Sequence, residues 1–392
     1  MNIIIRNVNL SVSISLTVLR VVGFWAPDDL GPHQKILYHC LTACSFMYLL
    51  GIYLIIQVVD LFQIWGDLPL MTGTAFLLFT NLAQVTKIFN ILCRRNRIQA
   101  IIEDADKVLK RVSKGEAKKI VKSCNRETSL LQLMYFMLTV VTTLGWASSA
   151  EKGKLPLRAW YPYDTSRSPA YELTYVHQVS ALFIAAYLNV GKDTLVASLI
   201  AQCRCRLRLL ALSLKTLCEG LQVGEKGLLT PDQELIASKH LRLLVIEHQA
   251  ALSAAVQLQN CFSEPTFAQF TVSLIIICVT AFQLVSQTAN MVRLLSMGTY
   301  LLNMMFQVFI YCYQGNQLSE ESSEIAGAAY QCPWHTCSPK FRKALLIVMV
   351  RSRRVAKLTA GSFTTLSLAS FMAIIKASYS LFTLLQQVEE KK

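Results

Sequence analysis

Few residues of this chain are of a type and spacing that could do chemistry. Cys332-Pro-Trp-His335-Thr-Cys337 places three metal-ligating side chains close together. A closed zinc site needs a further ligand, and the nearest compact source, Cys203-x-Cys205, would have to come near in space. The expectation is therefore no metal, with reduced cysteines beside a packed tryptophan. No phosphate loop, nucleophile elbow or His-Glu-x-x-His helix occurs, so the chain reads as a non-enzyme without a cofactor. Glu320, Glu321 and Glu324 recur at helical spacing and are expected on a solvated face.

Two other patterns suit binding and passage rather than bond-making. Met71, Phe76 and Phe79, then Trp146, then Tyr175, Phe183 and Tyr187, then Met297, Tyr300 and Met304 fall in four separate apolar stretches. Aromatic and methionine side chains with few charges suit a closed pocket for a small volatile molecule, held by dispersion and aromatic contact. Any one of them would serve equally in a core or an interfacial belt; the collection carries the reading. The second pattern lies in residues 358–385, where Lys376 is the one charge. At about 1.5 Å per residue this run exceeds the roughly 30 Å hydrocarbon core of a bilayer. One helical stripe of it is small or polar (Ser362, Thr365, Ala369, Ala373, Lys376, Ser380, Thr383, Gln387) and the neighbouring stripe is bulky. In lipid such a stripe seeks a partner helix or a wet pathway.

These residues need elements to position them, and the composition says which. A chain of 392 residues that is 53% hydrophobic and 16% charged is a polytopic membrane protein, not a soluble one. Seven segments pass the length test: 36–59, 69–92, 129–150, 173–199, 266–289, 294–313 and 359–385. The fourth is interrupted by His177, Asn189, Lys192 and Asp193, the last two near its inner end where they can snorkel or pair. Basic residues alternate steeply between connections: eleven between Arg94 and Arg126, seven in 200–265 and seven in 315–358, against none in 60–68 and four in 151–172. The positive side faces the cytosol, so the amino terminus is expected inside and the carboxyl terminus outside. The net charge of +14 is then a topology signal, not a nucleic-acid footprint. None of the twelve cysteines falls in an outer connection, so no disulfide framework is expected.

The expected organisation is all-α. A cytoplasmic segment 1–35 with an interfacial or membrane-dipping helix precedes four spans in 36–199. Cytosolic helical extensions fill 200–265, where leucines at helical spacing (Leu207, Leu210, Leu214, Leu217) precede a glycine-rich break at 220–227. A second helix starts at Thr230-Pro231, a hydroxyl cap with proline in the first turn. Two more spans occupy 266–313, a cytosolic region with a short basic helix 314–358, the last span 359–387, and an outer tail 388–392.

Several stretches resemble the insect odorant receptor family. Thr359-Ala360-Gly361 through Ser378-Tyr379-Ser380-Leu381-Phe382 is similar to the family's last helix, and Trp334, the basic helix after it and Arg351-Ser352-Arg353 resemble the segment before. Val22-Gly23-Phe24-Trp25-Ala26-Pro27 resembles its amino-terminal signature, and Trp160-Tyr161-Pro162-Tyr163-Asp164 its second outer loop. Asp193 matches a recurrent acidic position. The resemblance implies a subunit of a tetrameric, ligand-gated, non-selective cation channel in chemosensory neurons, in the plasma membrane of their dendrites. It implies a volatile odorant held by Met71, Phe76, Phe79, Trp146, Phe183, Tyr187, Tyr300 and Met304. It implies a pore lined by Lys376, Ser380, Thr383, Gln386 and Gln387, and an inter-subunit anchor including Trp334, Phe341, Leu345 and Arg351. Lys376 departs from the pattern, because a fixed cation on a cation path raises a barrier unless it snorkels away. The chain lacks the very long inner loop of the family's co-receptor, so it resembles an odorant-tuned subunit that partners one. The alternatives are a seven-helix receptor coupled to G proteins, disfavoured by the inverted topology, a gustatory-type channel of similar architecture, and a transporter, for which no inverted repeat is visible.

Overall fold

The computed structural model describes residues 10–27, 30–112, 115–148, 155–157, 159–165, 167–222, 228–286 and 291–390. The expected ends of the third and fifth spans (Ala150, Ala289), part of the glycine-rich break and the end of the tail lie outside the described residues. The chain is helical almost throughout: α1 (Leu10–Val21), α2 (Pro32–Phe46) running through a π turn (Met47–Gly51) into α3 (Ile52–Gln63), α4 (Leu68–Cys93), α5 (Arg95–Lys110), α6 (Gly115–Ser148), α7 (Ala170–Lys215), α8 (Pro231–Ser286), α9 (Met291–Gln331), α10 (Pro339–Ser352), an antiparallel hairpin β1 (Thr359–Ala360) and β2 (Thr364–Thr365), and α11 (Leu368–Glu390).

Among the described residues, six helical stretches are long and apolar enough to cross a membrane: Pro32–Gln63, Leu70–Cys93, Gly115–Ser148, Pro231–Val285, Met291–Gln331 and Leu368–Glu389. The expected fourth span lies within α7, which is long enough but falls short in apolarity, because His177, Asn189, Lys192 and Asp193 dilute it. Buried inside the bundle, Asn189, Lys192 and Asp193 find partners rather than lipid. α8 runs for 56 residues, about 84 Å of helix and far more than a bilayer core requires. α7, α8 and α9 all extend past the apolar bundle toward the end where α5 and α10 pack.

Local chemistry sets the helix ends. Asp67 accepts from the Leu70 N–H at 3.1 Å, Ser338 from Phe341 at 3.3 Å, and Ser367 from Ser370 at 3.2 Å, which fixes the starts of α4, α10 and α11. Pro265 interrupts α8 and cannot donate to the Cys261 carbonyl one turn back. Arg94 supplies the missing donor, reaching Cys261 O at 2.9 Å and Glu264 at 2.5 Å.

Three expectations change. The amino-terminal helix α1 is packed against α6 and α7. Its serines make the contact: Ser11 hydrogen-bonds Ser198, Ser15 lies 2.9 Å from Thr194, and Gly191 leaves room for Val18. The serines of this helix form a helix–helix seam. The last span begins nine residues late, at Leu368, because Gly361 and Ser362 take positive φ (57° and 63°) and turn the chain into the hairpin. Gln259 and Ser263 of α8 clamp that hairpin: the Thr359 N–H donates to Gln259 Oε1 at 2.7 Å, and Gly361 N–H to Ser263 O at 3.0 Å. Gly315 of α9 fits beneath it, where a Cβ would come 2.3 Å from that of Leu366. Third, Glu321 is not solvated. It is 6% exposed and pairs with Arg208 at 2.5 Å.

Candidate ligand-binding cavity

A cavity of about 80 Å³ lies between α3, α4, α6, α7 and α9. Of the predicted ligand residues, Trp146, Tyr300 and Met304 stand in its wall. Phe76 backs them, with its ring centroid 5.7 Å from Trp146 and 5.5 Å from Tyr300, and Phe79 packs on the same cluster. The remaining three lie elsewhere. Half-buried Phe183 and Tyr187 meet with tilted rings, as Tyr187 does with Phe136, while the Met71 sulfur accepts from Gly66 N–H at 3.4 Å. Their side chains do not line this cavity, since a span hydrophobic on most sides does not announce which face turns inward.

The polar part of the wall escaped the sequence reading. Thr80, Thr139, Thr142, Thr143, Asn81, Gln84, Tyr135, Asn189 and Asn303 also face the cavity. Thr80, Thr139, Thr142 and Thr143 each donate to the carbonyl four residues back, at 2.7, 2.9, 2.8 and 2.9 Å. Their protons are thus spent on their own helices, and the oxygens remain as acceptors. Tyr300 O–H uses one of them, donating to Thr80 at 2.6 Å. Threonine at i, i+3 and i+4 on α6 was the available signal.

Below the cavity lies a buried charged network. Asp193 receives Lys87 Nζ at 2.6 Å, Tyr135 O–H at 3.1 Å, Tyr311 O–H at 2.9 Å and the Gln307 amide. Tyr135 and Asn189 belong both to this network and to the cavity wall, so α4, α6, α7 and α9 are tied together directly under any ligand.

α11 holds the bundle by one face. Ile374 and Ser378 are buried, and Ser378 donates to Leu274 O at 3.2 Å. Lys376, Ser380 and Gln387 are exposed, and Thr383 and Gln386 half-buried. Only 17% of this helix's most apolar stretch is buried, against 56% in α8, so its other face is uncovered in the single chain. Phe371 nonetheless meets Phe309 of α9 edge-on at 5.7 Å.

The anchor residues divide. Phe341 and Leu345 are buried against their own chain, 3% and 2% exposed, with Trp334 half-buried under Arg342 and Arg351 exposed. The apolar face α10 turns outward is instead Leu346, Ile347 and Val350. Among the described residues no cluster suits a metal ion. Cys332 and Cys337 meet Cys218, at 3.3 and 3.6 Å, rather than the Cys203-x-Cys205 pair. Cys205 meets Cys124 instead. The hydrogen bond from Cys205, with the Arg208 and Arg204 guanidinium groups nearby, pulls the Cys124 thiol below its ordinary value.

A sequence model of the family described as 7tm Odorant receptor matches residues 67–379. Odorant receptor 82a of Drosophila melanogaster is 26% identical over 342 residues, covering 83% of this chain and 86% of that one. Odorant receptor Or1 of Anopheles gambiae is 24% identical over 399 residues, covering 96% and 95%. The solved insect olfactory receptor OR5 from Machilis hrabei, in complex with eugenol, has the same fold, with a TM-score of 0.82 over 96% of this chain and 97% of that one at 15% identity. With a family match spanning most of its length and relatives aligned nearly end to end, this chain belongs to the insect odorant receptor family.

Proposed function

We propose that this chain is the odorant-binding subunit of a ligand-gated, non-selective cation channel, partnered by a co-receptor in the plasma membrane of olfactory neurons. With α7 read as the fourth of seven spans and the basic connections on the cytosolic side, the amino terminus lies in the cytosol and the cavity in the outer half. The observation that carries the reading is the cavity itself, walled by Trp146, Tyr300 and Met304 and floored by the Asp193 network. At about 80 Å³ it is smaller than the roughly 150 Å³ apolar cavity that admits benzene, so an odorant enters only by moving its walls. That is how a neutral ligand acquires different affinities for two states, which is the sole means by which it can shift their balance. α9 supplies both cavity wall (Tyr300, Asn303, Met304) and, one to two turns on, the Phe309 contact with α11. The uncovered face of α11, with Ser380, Thr383, Gln386 and Gln387, suits a pore built from several chains. Exposed Lys376 is long enough to turn its charge toward water. Leu346, Ile347 and Val350 on α10 suit the contact between subunits, and the connection of α7 to α8 is short, unlike a co-receptor's.

The test is electrical. With an insect co-receptor, excised patches without nucleotide should pass an odorant-evoked cation current. Tyr300→Ala should change potency and odorant ranking while leaving ion selectivity alone, and Thr383 or Gln386 substitutions should do the reverse. A current that requires nucleotide and a G protein would instead establish the coupled-receptor reading.

A further inference from the structure

A second, smaller cavity of about 20 Å³ lies on the far side of the Asp193 network from the ligand cavity, between α4, α7, α8 and α9. Its wall includes both buried lysines, Lys87 and Lys192, together with Asn90, Thr266 and Tyr311. Lys87 is 6% and Lys192 1% exposed.

The charges here do not balance. Asp193 is the acid of this site, and its oxygens already accept from Lys87, Tyr135, Gln307 and Tyr311. An ionised carboxylate offers about four lone-pair sites, so none is left for Lys192. Among the described residues Lys192 Nζ has one hydrogen-bond partner, Gln84 Oε1 at 3.3 Å, and that partner is neutral. An ammonium has three N–H donors, so two on Lys192 are unspent. Lys87 donates to Asp193 and, at 3.4 Å, to Asn189, which leaves it one more. Thr266 and Tyr311 spend their protons on Phe262 O and on Asp193. The cavity wall thus carries two lysines against one acid, and an ammonium at Lys192 is costly in an apolar interior unless an anion joins it.

We propose that this cavity binds a small monovalent anion, chloride in the cell, between Lys87 and Lys192. A volume of about 20 Å³ exceeds the roughly 10–15 Å³ needed by one water-sized particle and excludes phosphates and carboxylates. Water offers the N–H groups an acceptor but no counter-charge; a halide offers both, and so lets Lys192 stand as an ammonium. The anion acts as the counter-ion that evolution did not supply as a second carboxylate, and it holds α7 to α4 beside the Pro265 interruption of α8.

The experiment uses the full-length chain in detergent without odorant, so its outcome is independent of channel function. Thermal melts in chloride, bromide and gluconate at equal ionic strength should show both halides raising the melting temperature by several degrees over gluconate. Chlorine NMR should show excess line broadening that bromide displaces. Gln84→Glu puts a carboxylate where Lys192 already donates, and should abolish both effects without removing a lysine. Lys192→Met should abolish them as well. Should the methionine variant fail to fold, the wild type and Gln84→Glu decide the matter. Equal wild-type melts in halide and gluconate, with no excess broadening, would mean that the cavity holds water only and would overturn the proposal. Halide dependence persisting undiminished in Gln84→Glu would overturn it too.

Discussion

At Asp193 one carboxylate closes a network that no single helix could hold. Replacing it with asparagine leaves Lys87 buried without its counter-charge, a change that typically costs about 3–5 kcal/mol. The Asp193→Asn receptor should melt well below wild type, and adding Lys87→Met should recover part of the loss. A double variant no more stable than the single one would show that the pair is not the linchpin. At Tyr300, removing only the hydroxyl loses the bond to Thr80 and frees an acceptor in the wall. Hydrogen bonds of this kind contribute about 0.5–1.5 kcal/mol, so Tyr300→Phe should shift odorant potency about two- to tenfold and favour ligands that carry a donor. Concentration–response curves for matched alcohols and hydrocarbons measure this directly. Glu321 is a third case. Burial raises its carboxyl to about 7, against the opposing pull of Arg208. The folded chain therefore binds this proton more tightly than the unfolded chain does. Its contribution to stability is full below the ordinary value of 4.5 and is lost as pH rises through about 7. Glu321→Gln, neutral throughout, should flatten the fall of melting temperature across that window.

Among the elements, the junction of α9 with the hairpin is the tightest fit. Gly315→Ala would drive a methyl into Leu366, including its backbone oxygen at 2.7 Å, and backbone cannot step aside as a side chain can. Overpacking of this kind costs about 1–3 kcal/mol, and here it also displaces the entry to α11. Gly327, twelve residues along the same helix, has nothing within 4 Å of the added methyl. Gly327→Ala should be neutral or stabilising by up to about 1 kcal/mol. Comparing the two by thermal melting and by spontaneous open probability separates a packing effect from a helix-propensity effect. Losses of equal size would show that the close contact does not matter. The helices themselves were legible because their caps and apolar runs are local. The hairpin was not, because two glycine-permissive positions within a threonine-rich apolar run leave the same hydropathy as a helix.

For the whole molecule the testable quantity is sidedness. Asn9-Leu10-Ser11 is the only Asn-x-Ser/Thr acceptor in the chain. With a cytosolic amino terminus it should stay unmodified, whereas an acceptor engineered between Gly153 and Leu157 should be glycosylated. A gel-mobility shift with the opposite pattern would invert the topology and with it the outer-half cavity. The outward faces of α10 and α11 add an expectation about partners. Expressed alone at normal surface level, the chain should give little odorant-evoked current, and co-expression with an insect co-receptor should restore it.

By itself the sequence determined what depends on length, period and local chemistry: a membrane-embedded helical chain, the helix that starts at Pro231 after Thr230, and the family. It also singled out four of the five helices that meet at the cavity, α4, α6, α7 and α9, by their aromatic and methionine residues, and missed α3. Only the tertiary structure decided which faces turn inward. Trp146, Tyr300 and Met304 reach the cavity while Phe183 and Tyr187 meet outside it, and the threonine oxygens of α6 line the wall. Asp193 gathers its four donors from α4, α6 and α9, at positions 87, 135, 307 and 311. A charge in an apolar run signals that a partner must exist, but the partner's identity is a property of how separate helices rotate against one another, and no local pattern encodes that rotation.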